Sequence, residues 1–511
     1  GWNADYSAVV GSSAITAAAD GASLAVAPPG NGSPTIADFT IAPGPGQPRS
    51  QPLPGRYGGG VLVEGGAPVL ADLVIEGANV GSGSELGCGG AIALIDTEAT
   101  VTGAILAGNR ATWGGGVFVQ GGAPVLEDLT ITGSVCNPGA GGQDAQGAGV
   151  LVRESSATLV RCEIRGGRGA VRGGGLAWLG ARNRQLTLED CVVVDNTMDQ
   201  DGGGLYGQDG AITISGGLLA ENRPAPDATF ASGGGAYLTR MRATIDGLVV
   251  RDNAAAAGGG ITVNEGPQVD VTGSVFGGNE ADLFGAALNY QRNDAGEIAR
   301  NTMADNVNPP DAGVLHLVGC SPPLSGNLIA FNTGGGVAGV NATPIPSCND
   351  VHGNGGANWI DLADPTGSDG NLDVDPLFCD LPGGDLTLRD DSPCLDAPGC
   401  GLIGALGQGC EQQTAAPAVA AGPAVRAYPN PANPAATVRF ELPRAATVRL
   451  TLHDARGRRL RTLASGPHPA GIHEVRLDGR DAAGRALASG IYLTRLATDR
   501  EVVQGRLTLL R

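Results

Sequence analysis

The chain has 511 residues, a net charge of −19 and 86 glycines. It is long for one compact core, so we expect either an elongated architecture or more than one domain. Abundant glycine, with apolar runs rich in Val, Ile, Leu and Thr, favours strands and turns over helices. The acidic charge argues against nucleic acid and anionic membrane surfaces as partners, and no apolar run is long enough for a transmembrane segment.

The charge is unevenly distributed along the chain. Residues 1–425 hold 44 acidic residues against 17 arginines, whereas residues 426–511 hold 15 arginines against 7 acidic residues, and the chain has no lysine. Between these parts, 411–425 (EQQTAAPAVAAGPAV) is rich in Ala and Pro and predicts a semi-rigid linker. We therefore predict a domain at 1–410, a linker at 411–425 and a second domain at 426–511.

The first domain contains an internal repeat. Residues 58–77 (GGGVLVEGGAPVLADLVIEG) match residues 114–133 (GGGVFVQGGAPVLEDLTITG) at 15 of 20 positions. Similar glycine clusters recur about every 28 residues, each followed by an apolar triplet and a second strand-like run. Short strands, glycine corners and a period of 20–50 residues predict a solenoid with one coil per repeat, specifically a parallel β-helix.

Many of the second runs end on asparagine. Because Asn tolerates a left-handed backbone and its amide can bond an Asn one coil away, we expect these residues to form a ladder at one corner. The predicted ladder residues are Asn109, Asn196, Asn222, Asn253, Asn279, Asn306 and Asn332.

This pattern of coils resembles the right-handed parallel β-helix proteins of the pectate-lyase-like type over roughly residues 35–410. The segment 371–410, with its DPLF, GDLTL and SPCLD elements, resembles the terminal part of surface-anchored bacterial β-helix proteins. The resemblance implies a cap over the open sheet edges there.

Ten cysteines suggest disulfides and an oxidising compartment. Cys379, Cys394, Cys400 and Cys410 crowd into the predicted cap, where three pairings are possible. Cys162 and Cys191 lie at equivalent positions of adjacent coils and are either a disulfide or two buried thiols.

The second domain carries the strand-like runs TVRFELP, ATVRLTLHDARGR, GIHEVRLDGRD and SGIYLTRLAT, separated by turn sequences, and predicts a β-sandwich of about seven strands. With YPNPANP, these runs resemble the flagellar hook-capping-type immunoglobulin-like domain, which also serves as the C-terminal sorting domain of type IX secretion cargo. The resemblance implies an extracellular or cell-surface bacterial protein whose partner is the outer-membrane export machinery; a purely structural spacer is the alternative.

Enzymatic motifs are scarce. The polygalacturonase elements GHG and RIK are absent, and the lack of lysine excludes lysine-based lyase chemistry. Carboxylate chemistry remains as an alternative, with Asp199, Asp201 and Asp227 as candidates. Solvated loops are the competing interpretation.

One segment has the spacing of a calcium loop. Asp369, Asn371, Asp373 and Asp375 alternate as oxygen ligands would, but Val374 stands where such loops carry glycine. The competing interpretation is an acidic turn, and no other cofactor is expected.

The triplets after the glycine clusters raise the possibility of an outward apolar stripe. Strand alternation places the middle residue of each triplet outside if the first and third face the core. The predicted row is Leu62, Ile92, Phe118, Leu151, Ala177, Tyr206, Tyr237, Thr262 and Leu288. Exposed, it would suit sugar stacking or protein docking, with Phe118, Tyr206 and Tyr237 as binding residues; alternatively, inserted loops such as 134–146 or 223–232 cover it.

From the sequence we therefore predict an all-β protein, a right-handed β-helix followed by an immunoglobulin-like sandwich. Our leading hypothesis for its function is non-catalytic binding of glycan or protein. A polysaccharide lyase or glycoside hydrolase, and a rod that self-associates, are the alternatives.

Overall fold

A computed structural model of the protein describes residues 13–16, 24–26, 34–81, 85–137, 144–293, 295–411, 424–428, 430, 432, 435–442, 444–454, 458–498 and 501–509. The chain divides into two compact units, Gly1–Gln412 and Gln413–Arg511. Almost all regular structure is strand; the single helix of the described residues is the 3₁₀ turn Leu381–Gly383. The all-β prediction is confirmed.

The first unit is a parallel β-solenoid with three long sheets, and each full coil visits sheet B, then sheet C, then sheet A. Sheet B comprises Leu24–Val26, Val61–Glu64, Ile92–Ile95, Val117–Gln120, Val150–Arg153, Leu176–Leu179, Leu205–Gln208, Ala236–Thr239, Ile261–Asn264, Leu288–Gln291, Gly313–Val318, Gly335–Val340 and Trp359–Ile360. Sheet C comprises Thr35–Ala37, Val69–Ala71, Thr100–Thr102, Val125–Glu127, Thr158–Val160, Gln185–Glu189, Ala211–Ser215, Arg242–Asp246, Gln268–Thr272, Ile298–Ala299, Pro323–Ser325 and Ile345–Ser347. Sheet A comprises Ser13–Thr16, Phe39–Ala42, Val74–Glu76, Ile105–Ala107, Thr130–Thr132, Glu163–Arg165, Val192–Val194, Leu218–Ala220, Val249–Arg251, Val275–Gly277, Thr302–Ala304, Leu328–Ala330 and Asp350–His352.

Short side strands connect the end of sheet A to the next coil of sheet B. They form small sheets of two or three strands. These strands are Gln47–Arg49, Gly55–Tyr57, Gly87–Cys88, Arg110–Ala111, Val135–Cys136, Ala170–Arg172, Thr197–Asp201, Arg223–Pro224, Ala254–Ala257 and Glu280–Phe284.

The duplicated sequence is explained by stacking. The strand at Val61 pairs with the strand at Ile92, which pairs with the strand at Val117, so the two copies are coils separated by one other coil. The glycines allow the coils to approach closely: a Cβ on Gly116 would lie 2.6 Å from the Gly149 carbonyl oxygen of the next coil. Gly114 also has a positive φ of 60°, which other residues adopt only with strain. The inward residues of all three sheets form one continuous apolar core.

The asparagine ladder is present from Asn196 onward and extends one step beyond the prediction. Each Nδ2 donates to Oδ1 of the next asparagine at 2.9 or 3.0 Å, along Asn196, Asn222, Asn253, Asn279, Asn306, Asn332 and Asn354. Asn109 is equally buried, but among the described residues its side chain bonds only backbone atoms, Ala78 N–H and the Ile75 carbonyl oxygen. The left-handed backbone that was expected at the asparagines lies at the residue before each one, for example at Asp195 (φ 54°) and Asp252 (φ 56°). The asparagine side chains themselves point inward.

A second ladder, at the corner between sheets C and A, was not predicted. It runs through Asn301, Asn327, Asn349 and Asn371, with Nδ2 to Oδ1 distances of 2.9 or 3.0 Å. Ser274 begins this column, where its N–H donates to Asn301 Oδ1 at 2.9 Å. The two ladders therefore tie the last coils together at two corners.

The segment predicted as an end cap instead folds back along the side of the solenoid. Its strands Phe378–Asp380, Asp385–Arg389 and Gln408–Cys410 form a small sheet. The apolar side chains of this segment pack on Leu328 and Ala330, which point outward from sheet A. Ala405 N–H donates to Thr302 Oγ1 at 2.9 Å, so the contact reaches a further coil. The outward apolar residues of sheet A explain why the segment covers the side.

Two disulfides hold this segment. Cys379 pairs with Cys410, whereas Cys400 pairs with Cys348 of the last coils, outside the predicted group of four. The other six cysteines are free and buried. Among them, Cys162 and Cys191 stack on adjacent coils as predicted and are thiols.

The second unit is an immunoglobulin-like sandwich. Its described strands form an antiparallel sheet of three and another of four, and their apolar faces enclose one core. The strands are Ala424–Tyr428, Ala436–Leu442, Ala446–Asp454, Arg459–His468, Gly471–Leu477, Gly490–Ala497 and Val502–Leu509. The first begins two residues before the predicted domain start. Most of the predicted linker, 412–423, lies outside the described residues.

Candidate functional site

The outward row of sheet B exists, but two of its predicted members face the core. Ile92 pairs with Val61 and Val117, and Leu288 pairs with Ile261, so all of these point inward. Ala93 and Asn289 occupy the outward positions instead. The error is a slip of one residue in the glycine cluster, which reverses the side on which a strand residue lies.

The row is covered along its N-terminal half. Phe118 is fully buried: its ring stacks on Trp113 with centroids 6.3 Å apart and meets Tyr57 edge-on at 5.8 Å. Leu53 and Leu86 complete a second apolar cluster outside the sheet. The prediction that Phe118 is an exposed binding residue is wrong, because the segments around 53–57 and 86–88 cover it.

The cover ends at a stacked pair of tyrosines. Tyr206 and Tyr237 lie on adjacent coils with ring centroids 5.9 Å apart and an interplanar angle of 11°. Tyr206 is 4% exposed, whereas Tyr237 is half-buried and contacts the apolar cluster from its edge. Burial raises the pKa of Tyr206 to about 12 and also raises that of Tyr237, so both phenols stay protonated as hydrogen-bond donors.

A row of polar side chains runs beside the tyrosines. Gln208, Thr239, Asn264 and Gln291 are stacked on four successive coils by the strand register. Tyr206 Oη donates to Gln208 Oε1 at 2.7 Å, and Asn264 Nδ2 donates to Tyr237 Oη at 3.2 Å. We call these four residues and the two tyrosines the Tyr237 face. It combines an aromatic surface with amides that can both donate and accept.

Charged side chains border the Tyr237 face on both sides. On one side, the Arg172 guanidinium lies 5.7 Å from the Tyr206 ring centroid, donates to Asp144 Oδ2 at 3.0 Å and approaches Asp201 Oδ2 at 3.6 Å. On the other side, Arg240 forms an ion pair with Asp209, and Arg292 forms one with Glu265. The border therefore carries paired positive and negative side chains, so it does not strongly repel a ligand of either charge.

Beyond Tyr237 the outward row becomes polar and is again covered. Thr262, Asn289 and His316 are all at most 9% exposed. The His316 ring lies 4.3 Å from that of Phe284, its Nδ1 is 3.1 Å from Asn289 Oδ1, and burial lowers its pKa. His316 is therefore a packed neutral imidazole, enclosed by a side strand.

Of the three aspartates proposed for catalysis, Asp201 lies beside the Tyr237 face, through the Arg172 side chain that also contacts Tyr206. Asp199 and Asp201 share the side strand Thr197–Asp201, and Asp227 is exposed in the following loop. Burial raises the pKa of Asp199, and the charge of Asp227 raises it further. Burial also raises the pKa of Asp201, although Arg172 opposes the shift. Asp199 and Asp227 are thus two interacting carboxylates, while Asp201 is tied to an arginine.

Three of the four side chains proposed as calcium ligands bond to separate partners. Asn371 Oδ1 accepts from Asn349 in the second ladder, Asp373 Oδ1 lies 2.7 Å from His352 Nδ1, and Asp375 Oδ1 accepts from Leu377 N–H. The Asp369 carbonyl accepts from Cys348 N–H. In the described part of the chain, no three acidic, His or Cys side chains are grouped for a metal. The side chains of Asn371, Asp373 and Asp375 thus each have their own partner, and the calcium site stays a prediction that this geometry does not favour.

Sequence reasoning missed the polar row and Arg172. The row was visible in the residue after each apolar triplet, for example in LYGQ, AYLT, ITVN and LNYQ. Arg172 gave no such signal, since only the side strand Ala170–Arg172 brings it over Tyr206.

Comparison with known proteins identifies one part of the chain. Residues 430–501 match the family described as the FlgD Ig-like domain. No curated protein matches the chain. Within the residues that the structure describes, no helix has the length and apolarity to cross a membrane.

Proposed function

We propose that this protein is an extracellular bacterial β-solenoid of the pectate-lyase-like type that binds glycan at the Tyr237 face without cleaving it. We further propose that residues 426–511 direct it to the type IX export machinery. The FlgD Ig-like match and the β-solenoid support a surface or structural protein, and the two disulfides are compatible with an oxidising compartment.

The observation that carries the glycan proposal is the position of Tyr237. It is the half-buried aromatic residue at the point where the cover over sheet B ends, and it stacks on Tyr206. An aromatic ring can stack on the C–H face of a sugar, and flanking amides can bond its hydroxyls. Asn264, whose amide already holds Tyr237 Oη, supplies that polar flank.

The test is a binding screen of the intact protein against immobilised plant, algal and bacterial polysaccharides. We expect retention on at least one polymer, and a loss of about tenfold or more for Tyr237→Ala, which removes the ring. Phe230→Ala is the matched control, because Phe230 is an aromatic residue 53% exposed outside sheet B. Equal binding by both variants, or binding to no polymer, would refute the proposal.

A second candidate function rests on Asp199 and Asp227. The charge of Asp227 raises the pKa of Asp199, and a carboxyl group with a raised pKa beside a second carboxylate can act as the acid in glycoside cleavage. Release of reducing ends or unsaturated products by the wild type, and its abolition in both Asp199→Asn and Asp227→Asn, would replace the binding proposal with this one.

The export proposal is tested separately in a bacterium with type IX machinery. We expect the full chain outside the cell and a chain lacking residues 426–511 in the periplasm. Export of the truncated chain would show that this unit is a spacer.

A further inference from the structure

A cavity of about 490 Å³ lies where sheet B turns into sheet C near the C-terminal half of the solenoid. Its size falls in the range of small-molecule sites, about 300–1,000 Å³. The residues that matter for its chemistry are Gln268, Asp270, Asn293, Glu297, Ser321 and Pro322. None of them belongs to the Tyr237 face.

Asn293 is an unusual residue for this position in the cavity wall, because its polar side chain is buried without described partners. It is 3% exposed, and neither its Oδ1 nor its Nδ2 has a hydrogen-bond partner in the described part of the chain. By the strand register, the same corner position is filled by Met241 two coils earlier and by Cys320 one coil later, and both belong to the apolar core. A buried amide without hydrogen-bond partners destabilises the folded chain, and an apolar residue at this position would avoid this cost.

The surrounding backbone makes room for this amide. Gly266 occupies the same position one coil earlier, and a Cβ there would lie 2.6 Å from Asn293 Nδ2. The connection from sheet B to sheet C also lengthens, from the two residues 240–241 to the six residues 292–297. Asn293, Ala295, Gly296 and Glu297 of this longer connection line the cavity.

Two carboxylates complete the polar lining. Asp270 is oriented by two donors, Glu297 N–H to Oδ1 at 3.0 Å and Gln268 Nε2 to Oδ2 at 3.1 Å. Neither Asp270 nor Glu297 forms an ion pair with a described residue, and the described residues of the lining include no basic side chain. Acidic ligands would therefore meet repulsion.

From this lining we infer that the cavity binds a neutral polyhydroxylated ligand, a monosaccharide or a single neutral sugar unit. One sugar hydroxyl can accept from Asn293 Nδ2 and donate to a carboxylate, while a neighbouring hydroxyl donates to Asn293 Oδ1, so both orphan atoms gain a partner. Pro322 adds an apolar surface for the C–H groups of the ring. A bare metal cation would use the oxygen atoms but leave Asn293 Nδ2 without an acceptor. This inference does not depend on the Tyr237 face.

The experiment is saturation-transfer NMR on the full chain with glucose, galactose, mannose and xylose, each at millimolar concentration. Galacturonic acid is the charged counterpart of galactose. We expect binding of at least one neutral sugar, weaker binding of the acid, and a loss of about tenfold or more in Asn293→Leu. The control is Phe230→Ala, which changes an exposed residue outside both the cavity lining and the Tyr237 face and should bind the sugar like the wild type.

Asn293→Leu also reports on folding, because replacing an unpaired amide should keep or raise the unfolding temperature. If it fails to fold, Asp270→Asn, which keeps the shape of the side chain, takes its place in the binding assay. Failure of every neutral sugar to bind, or undiminished binding in these variants, would overturn the inference. So would stabilisation by Ca²⁺ that Asn293→Leu abolishes, since the site would then be for a cation.

Discussion

Replacing Asn253 with alanine should cost much more than the same change at Asn109, although both side chains are fully buried. Asn253 sits inside the ladder: its Oδ1 accepts from Asn222 N–H at 3.0 Å and from Asn222 Nδ2 at 2.9 Å. Its Nδ2 donates to the Leu219 carbonyl oxygen at 2.9 Å and to Asn279 Oδ1 at 3.0 Å.

The expected magnitude follows from these bonds. Asn253→Ala removes four buried hydrogen bonds, which at about 1 kcal/mol each amounts to about 4 kcal/mol. Asn109→Ala removes two, to Ala78 N–H and the Ile75 carbonyl oxygen, and should cost about 2 kcal/mol. The lost volume is the same, so the difference of about 2 kcal/mol measures the ladder itself.

Tryptophan fluorescence during urea unfolding provides the measurement, since the four tryptophans all precede residue 411 and report on the first unit. Native-state hydrogen exchange of the amides near 222 and 253 locates the loss, because solenoids can unfold locally. Equal losses in the two variants would refute the argument that stacked amides stabilise the coils beyond their backbone bonds.

Three further predictions concern the segment that covers sheet A and the buried thiols. Asp350 is fully buried, and burial raises its pKa to about 6. The wild type should therefore lose about 3 kcal/mol of unfolding free energy as the pH rises from about 3.8 through 6, because Asp350 then ionises in the folded state. In Asp350→Asn this loss between about pH 4 and 7 should be absent from urea unfolding, and a pH profile like that of the wild type would contradict the assignment. Removing the Cys348–Cys400 disulfide, which closes 52 residues, should cost about 4 kcal/mol and speed hydrogen exchange at 386–405, with no change near 253. The free thiols should resist an aromatic disulfide reagent until the chain unfolds, since burial raises the pKa of Cys88 and Cys136 to about 12; rapid labelling of the native protein would show that the coils open.

Several features of the fold could be read from local sequence. A coil repeats the same environment every turn, so the period of the glycine clusters, the alternation within each strand and the column of asparagines recur as a pattern in one dimension. The seven strands of the second unit follow from alternation and turn residues in the same way. Even here, one residue of slip at Ile92 and Leu288 was enough to put two side chains on the wrong face.

The candidate sites were harder to predict because they depend on what covers each face. Whether Phe118 is exposed depends on Tyr57 and Trp113, which reach it from other coils. Whether the Asn371 side chain is available as a ligand depends on Asn349, which donates to it. The orphan amide of Asn293 is invisible in sequence, since an asparagine after a strand is ordinarily a turn residue. Coil-to-coil stacking fixes such contacts between residues about 28 positions apart.

The sequence by itself determined the coil period, the composition of the core and the two-unit organisation, because these follow from hydrophobic alternation and backbone preferences of neighbouring residues. Tertiary structure alone decided that the strands of the segment 371–410 lie along sheet A, that Cys400 pairs with Cys348, and that Tyr237 stands at the edge of the cover over sheet B. These outcomes depend on burial across distant segments, where the gain from covering an apolar face exceeds any local preference.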